Sequence, residues 1–222
     1  MITSISDLVD FLKRHHRDWL VDPSVDPDEV PVDLPRPLAT IYREVGALIE
    51  IQQGPENNWR APFATQDALM PVDRLKRIED MVEFAWENQG NWSARCALGA
   101  IDPPVYSNAP DIWNEESHGF VVVCDSLNHF LTTLCLQEAV MSCRNLIAVR
   151  TDDLPNKVLT VPLQPLWLDG HYVSGAPDHQ FFVSQEHGIL VMHWAGIWVG
   201  SNARPVGELV AEGTDAQVLQ GR

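Results

Sequence analysis

The sequence predicts a single α+β domain, a mainly antiparallel β-sheet with helices packed against it. Three observations carry that expectation. Val82, Phe84 and Trp86 alternate with Glu83, Ala85 and Glu87, the period-two pattern of a strand with one dry face; Asn88-Gln89-Gly90-Asn91 then breaks it before a return strand over Trp92 to Leu98. Phe181 to Gln185 and Ile189 to Trp194 flank Glu186-His187-Gly188, a second hairpin, which Gly196 to Val199 continues. Between the two lies Leu127 to Cys143, a helix apolar round most of its cylinder and therefore expected to be covered on more than one side.

Taken in order, Asp7 to Leu20 reads as a first helix. Leu8, Val9, Phe11, Leu12 and Trp19 fall near one face, and Ser4 or Ser6 caps the start. Asp7 and Asp10 lie early while Lys13, Arg14 and Arg17 lie late, which complements the helix dipole. Asp22 to Asp33 is an acidic connector punctuated by Pro23, Pro27 and Pro31. Leu34 and Pro35 open a second helix, with Pro37 suited to its first position and Leu38, Ile41, Tyr42 and Val45 as its buried stripe. Gly46 ends or bends that helix, and Leu48 to Ile51 reads as a short strand. A polar loop over 54–61 holds Trp59, and Pro71 to Leu75 leads into the first hairpin.

Pro103 and Pro104 fix Asp102 to Tyr106 as extended and off a central strand. Trp113 lies in a polar loop. The continuous apolar run Gly119 to Cys124 predicts a strand buried on both faces. Asp125 or Ser126 caps the long apolar helix. Pro162 and Pro165 make Leu159 to Leu168 an edge or irregular strand, and Pro205 to Ala211 reads as a short closing helix. The whole, 1–222, is one domain: helix and connector over 1–33, a core over 34–145, and a C-terminal hairpin with a closing segment over 146–222.

The formal net charge of −16 disfavours direct nucleic-acid binding and an anionic membrane surface, because both need a basic face. A basic protein partner is compatible, since opposite fields speed encounter. Cys96, Cys124, Cys135 and Cys143 form no C-x-x-C pair and sit in or beside apolar runs, so buried free thiols in a reducing cytoplasm are expected. The start of the chain has no signal-peptide pattern, and no apolar run is long enough to span a membrane.

Catalytic and metal motifs are thin. The chain has no GxGxxG, phosphate-binding loop, HExxH or GxSxG. His15-His16 point about 100° apart on a helix and do not converge. His171, His179, His187 and His193 have irregular spacing, and His187 sits in the expected turn, with Asp178-His179 as a candidate carboxylate-histidine pair. Cys124-Asp125 at a strand-to-helix turn, with His129, offers a nucleophile and a base, and a structural thiol is the simpler reading. No cofactor or metal is expected.

Leu34, Pro35, Leu38, Tyr42 and Gly46, then Phe84-Ala85 with Glu87-Asn88-Gln89-Gly90 and Trp92, then Asp102 to Tyr106, then Ser126, Leu127, Phe130 and Leu131 form a series. In that series the chain resembles the SUKH superfamily, which joins fungal cell-wall-synthesis regulators to bacterial toxin-immunity proteins. The resemblance covers about residues 30–145 and implies no catalytic set. It implies a non-enzymatic protein-binding domain. The leading expectation is an immunity protein that neutralises a cognate toxin, often a nuclease, by laying an acidic surface over a basic cleft. The alternative is a scaffold or regulatory protein-interaction module. The candidate partner-binding residues are Asp26, Asp28, Glu29 and Asp33 in the connector, and Asp111, Glu115 and Glu116 beside Trp113.

Overall fold

A computed structural model describes residues 1–17, 26, 28–49, 62–63, 65–113, 119–170, 178–211 and 214–220. Helix α1 (Ile5–His15) starts at Ser4, whose Oγ accepts from the Asp7 amide, while the Asp7 carboxylate accepts from the Thr3 amide at 3.0 Å. Leu8, Val9 and Leu12 face the core. The helix stops at His15, short of the expected Leu20, and Trp19 lies outside the described residues. Helix α2 (Arg36–Val45) begins after Pro35, with Pro37 at its second position, and buries Leu38, Ile41, Tyr42 and Val45. A 3₁₀ turn over Gly46–Leu48 follows. It takes up the residues read as the start of a strand; Glu50 and Ile51, and the loop around Trp59, lie outside the described residues.

The first sheet holds β1 (Asp67–Leu69), β2 (Lys76–Ile78), β3 (Met81–Glu87), β4 (Ser93–Ala97), β5 (Val105–Ser107) and β6 (Val121–Cys124). It runs β1-β3-β4-β5-β6, with β2 beside β1 on the same edge of β3, and every pairing is antiparallel. The expected hairpin is β3–β4, turning through Gly90 at φ +76°, a conformation that suits glycine. Its register shifts at Phe84: Glu83 faces Arg95, and Ala85 faces Ala94. Phe84 is thus the extra residue of a β-bulge. The strict alternation read from the sequence breaks there. Val82 and Ala85 share the dry face, and Trp86 turns to the outer face with Glu83.

Two neighbouring rows show how one-sided this sheet is. Val82, Cys96, Val105 and Cys124 stand opposite one another across four strands, and all are buried. The next row, Lys76, Glu83, Arg95, Tyr106 and Val122, faces outward. Three expectations need correction. Pro103 and Pro104 end just before β5, which therefore lies between β4 and β6 because the residues that pair are Val105 to Ser107. β6 ends the sheet, so its outer residue Val122 is 46% exposed, not buried. Trp113 closes a one-turn helix, α3 (Pro110–Trp113), in place of a loop.

The long helix α4 (Leu127–Met141) is capped by Ser126 Oγ, which accepts from the His129 amide at 3.1 Å. Beyond it come β7 (Asn145–Val149), the short helix α5 (Pro155–Val158), β8 (Gln164–Gly170), β9 (His179–Ser184), β10 (Ile189–His193), β11 (Ile197–Ser201) and β12 (Ala216–Gln220). They form a second antiparallel sheet in the order β12-β7-β11-β10-β9-β8. The second hairpin is β9–β10, β11 continues it, and the proline-bearing β8 is an edge strand, as its sequence requires. Pro205 to Ala211 yields only a 3₁₀ turn over Gly207–Leu209.

The α+β class and the antiparallel pairing hold, with the strands divided between two sheets. Helix α4 touches β6 of the first sheet, β8, β10 and β11 of the second, and both α1 and α2. That explains its almost complete burial. Phe130 meets Phe84 edge to face at 5.7 Å, and the backbone of β11 comes so close that a Cβ on Gly200 would lie 2.7 Å from Cys143 Sγ. One continuous apolar core joins Ile2 to Met192 through this helix.

Candidate protein-binding surface

Hydrogen bonds gather three loops at one end of the first sheet. The Asp33 carboxylate takes both guanidinium nitrogens of Arg77, at 2.6 Å each, and this pairing holds its carboxyl below the usual range. The Asp33 carbonyl accepts from the Gly99 amide at 2.7 Å, and the Asp80 carbonyl accepts from the Leu98 amide at 2.8 Å. The connector, the β2–β3 turn and the loop after β4 therefore form one surface. Asp26, Asp28 and Glu29 lie exposed on the connector, where Asp26 Oδ1 accepts from the Asp28 amide. Glu79 and Asp80 add exposed carboxylates at the β2–β3 turn. Asp33 belongs to this surface, and its charge is matched by Arg77.

Large aliphatic side chains share that end. Val32 is 97% exposed, Ile101 80% and Ile78 37%. The sequence reading passed over them. Val32 carried a signal, since Pro31 and Asp33 bracket it in a solvated segment; Ile78 and Ile101 carried none.

The second predicted patch lies elsewhere. α3 follows Asn108, whose Oδ1 accepts from the Ser93 amide where β4 begins. That is the opposite end of β3, about 20 Å away along a strand of seven residues. Asp111 is half-buried and accepts from the Gly119 amide at 3.2 Å, Trp113 ends α3, and Glu115 and Glu116 lie outside the described residues. The fold thus does not bring Asp111 and Trp113 to the connector.

Between the two ends, the outer face is a charged row. Glu83 is buried and receives Lys76 Nζ, Ser93 Oγ and Arg95 Nε, each at 2.9 Å. Burial works to raise its carboxyl, but those three donors win and hold it below the ordinary value. The Arg95 guanidinium also lies 3.6 Å from the centre of the Phe120 ring. Glu87 accepts from the amides of Gln89 and Asn91 and from Asn91 Nδ2, so the Glu87-to-Gly90 motif builds the turn. A polar cleft of about 450 Å³ opens there, bordered by Trp86, Lys76 and Asn108.

The catalytic and metal candidates go to structural partners. The Cys124 thiol, raised chiefly by burial, donates to the Ser126 carbonyl at 3.2 Å. His129 turns its ring to the Asp169 carbonyl and the Trp167 ring. Burial pushes Cys96 and Cys143 up to about 12 and raises Cys135 as well. His179 pairs with Asp178 at 2.5 Å, and His187 Nδ1 lies 3.0 Å from Ser184 Oγ. His171 lies outside the described residues. Among the described residues, no three or more His, Cys, Asp or Glu side chains converge to hold a metal.

The burial of two further groups had no sequence signal. Glu138, fully buried on α4, accepts from the amides of Thr65, Gln66 and Asp67 at 2.7, 3.1 and 2.9 Å. Burial, with the charge of Asp67, pushes its carboxyl up to about 8 against those three donors. His16 is buried with both ring nitrogens unpartnered, and burial holds it well below the ordinary imidazole value. Among the described residues no helix is long and apolar enough to cross a membrane. No family model, no curated protein and no solved structure matches the chain.

Proposed function

We propose that the chain is a non-enzymatic protein-binding domain of the SUKH type, an immunity protein that neutralises a cognate toxin by covering it. The supporting observation is the exposed carboxylate surface formed by the connector and the β2–β3 turn, on a chain of net charge −16. Such a field steers a basic partner in, and contact at the loops blocks a cleft without any covalent step. The buried carboxylates and thiols already serve the fold, which suits a molecule that binds through its exterior.

The test is a capture of partners from the native host with the tagged full chain, followed by association kinetics on the protein recovered. Charge reversal at Asp26, Asp28 and Glu29 is expected to slow association about tenfold or more at low salt and to flatten its salt dependence. A recovered partner that associates equally fast with the reversed variant defeats the acidic surface. Recovery of no specific protein partner defeats the reading as a whole.

A further inference from the structure

We infer that the cleft beside the β3–β4 turn binds a neutral oligosaccharide. It lies at the far end of β3 from the β2–β3 turn and is a separate site from the proposed protein-binding surface. The bulge at Phe84 brings Trp86 to the outer face, opposite Ser93, whose Oγ reaches the outward Glu83. The indole is half-buried there, and among the described residues nothing accepts from its N–H. Carboxamides line the rest of the cleft: Asn88, Gln89 and Asn91 from the turn, and Asn108 from beyond β5. Its volume of about 450 Å³ lies within the range of small-ligand sites, about 300–1,000 Å³.

Each carboxamide keeps capacity that the fold does not use. Asn88 and Asn91 commit Nδ2 to the Thr65 carbonyl and the Glu87 carboxylate, at 3.0 Å each, and keep Oδ1 as an acceptor. Asn108 commits Oδ1 to the Ser93 amide and keeps Nδ2 as a donor. Gln89, exposed in the turn, keeps both. Spare donors and spare acceptors thus share one cleft, and a hydroxyl, which donates and accepts, uses both. A sugar ring carries several hydroxyls and an apolar C–H face, which suits an indole with an apolar body and one polar edge.

Charge and shape weigh against other ligands. An anion needs unpaired cations, yet Lys76 Nζ and the Arg95 guanidinium are both held by Glu83 at 2.9 Å. A cation needs a spare carboxylate, yet Glu83 receives Lys76, Ser93 and Arg95, and Glu87 Oε2 receives two turn amides and Asn91 Nδ2. A peptide takes its specificity from pockets for its side chains, and among the described residues no Leu, Ile, Val or Met borders the cleft.

The experiment is an NMR titration of the full chain, read at the backbone amides and indole N–H signals, with cellotetraose, maltotetraose and chitotetraose. Tetraproline, a peptide suited to aromatic grooves, and inorganic phosphate are the comparison ligands. At least one oligosaccharide is expected to shift the Trp86 indole and the amides of Gln89, Gly90 and Asn91, with a Kd on the order of 1 mM or below. Trp86→Ala should weaken that binding about tenfold or more. Gln89→Ala, at an exposed turn position, should weaken it about threefold, and it carries the test if Trp86→Ala does not fold. Charge reversal at Asp26, Asp28 and Glu29 should leave the saccharide affinity unchanged. The saccharide site is overturned if no oligosaccharide shifts these signals up to about 10 mM, or if the shifts map elsewhere. It is equally overturned if tetraproline or phosphate binds there as tightly, or if the folded variants bind the sugar as well as wild type.

Discussion

Arg77 grips both carboxylate oxygens of Asp33 across 44 positions of chain, and so fastens the acidic connector to the β2–β3 hairpin. The pair lies at the surface with both side chains about half exposed, so Asp33→Asn is expected to change the melting temperature little. Its effect should be local: the Gly99 amide, bonded to the Asp33 carbonyl, exchanges with solvent faster, and the difference shrinks as salt is added. Amide exchange of the two proteins at low and high ionic strength checks this.

Glu138 holds the segment before and into β1 by three amide donors. Replacing it by Gln turns an NH₂ toward an N–H and strands at least one buried donor, at about 2–3 kcal/mol. The pH dependence has a definite sign. Its folded carboxyl, at about 8, lies above the ordinary 4.5. Its contribution is therefore full below pH 4.5 and declines as pH rises through about 8. Denaturation at pH 6 and 9 should show wild type losing stability over that interval and Glu138→Gln losing less.

His16 has the opposite trend. A folded imidazole held well below 6.5 gives stability that is present above that value and declines as pH falls toward the folded pKa. His16→Leu removes two unpartnered buried nitrogens beside Phe63 and is expected to stabilise the protein by about 1 kcal/mol. The gain in urea midpoint from His16→Leu over wild type should be larger at pH 5.5 than at pH 7.5.

Gly200 is a close-packing site. An added Cβ would lie 2.7 Å from Cys143 Sγ and 2.8 Å from the Val140 carbonyl, so Gly200→Ala must push α4 off β11. A loss of about 2 kcal/mol or more is expected in thermal or urea unfolding. Gly207→Ala, where a Cβ meets open space, is the control and should cost little.

What the sequence made legible was what short-range pattern encodes. Both hairpins announced themselves by alternation and turn residues, and α4 by apolar residues all round. β7 stayed hidden because Asn145 to Val149 follows α4 with no glycine or proline between. β12 stayed hidden because Ala216 to Gln220 is short and mixed in polarity. The bulge at Phe84, which turns Trp86 outward, depends on how β4 pairs and is not encoded in the alternation of β3. At the candidate surface, exposure of Asp26, Asp28 and Glu29 followed from proline punctuation. The Asp33–Arg77 pair and the distance to Asp111 are tertiary facts, and residue spacing does not reveal them.

Because α4 is shared property of the two sheets, neither half of the chain alone completes the core that runs through it, although the C-terminal strands keep a second core on their other face. A fragment ending near residue 144 would leave the side of the helix that meets β8, β10 and β11 open to water. The C-terminal strands, cut loose, would lack the cylinder that roofs them. The molecule is therefore built to melt in a single step, and a nick between its halves should end in precipitation of the fragments.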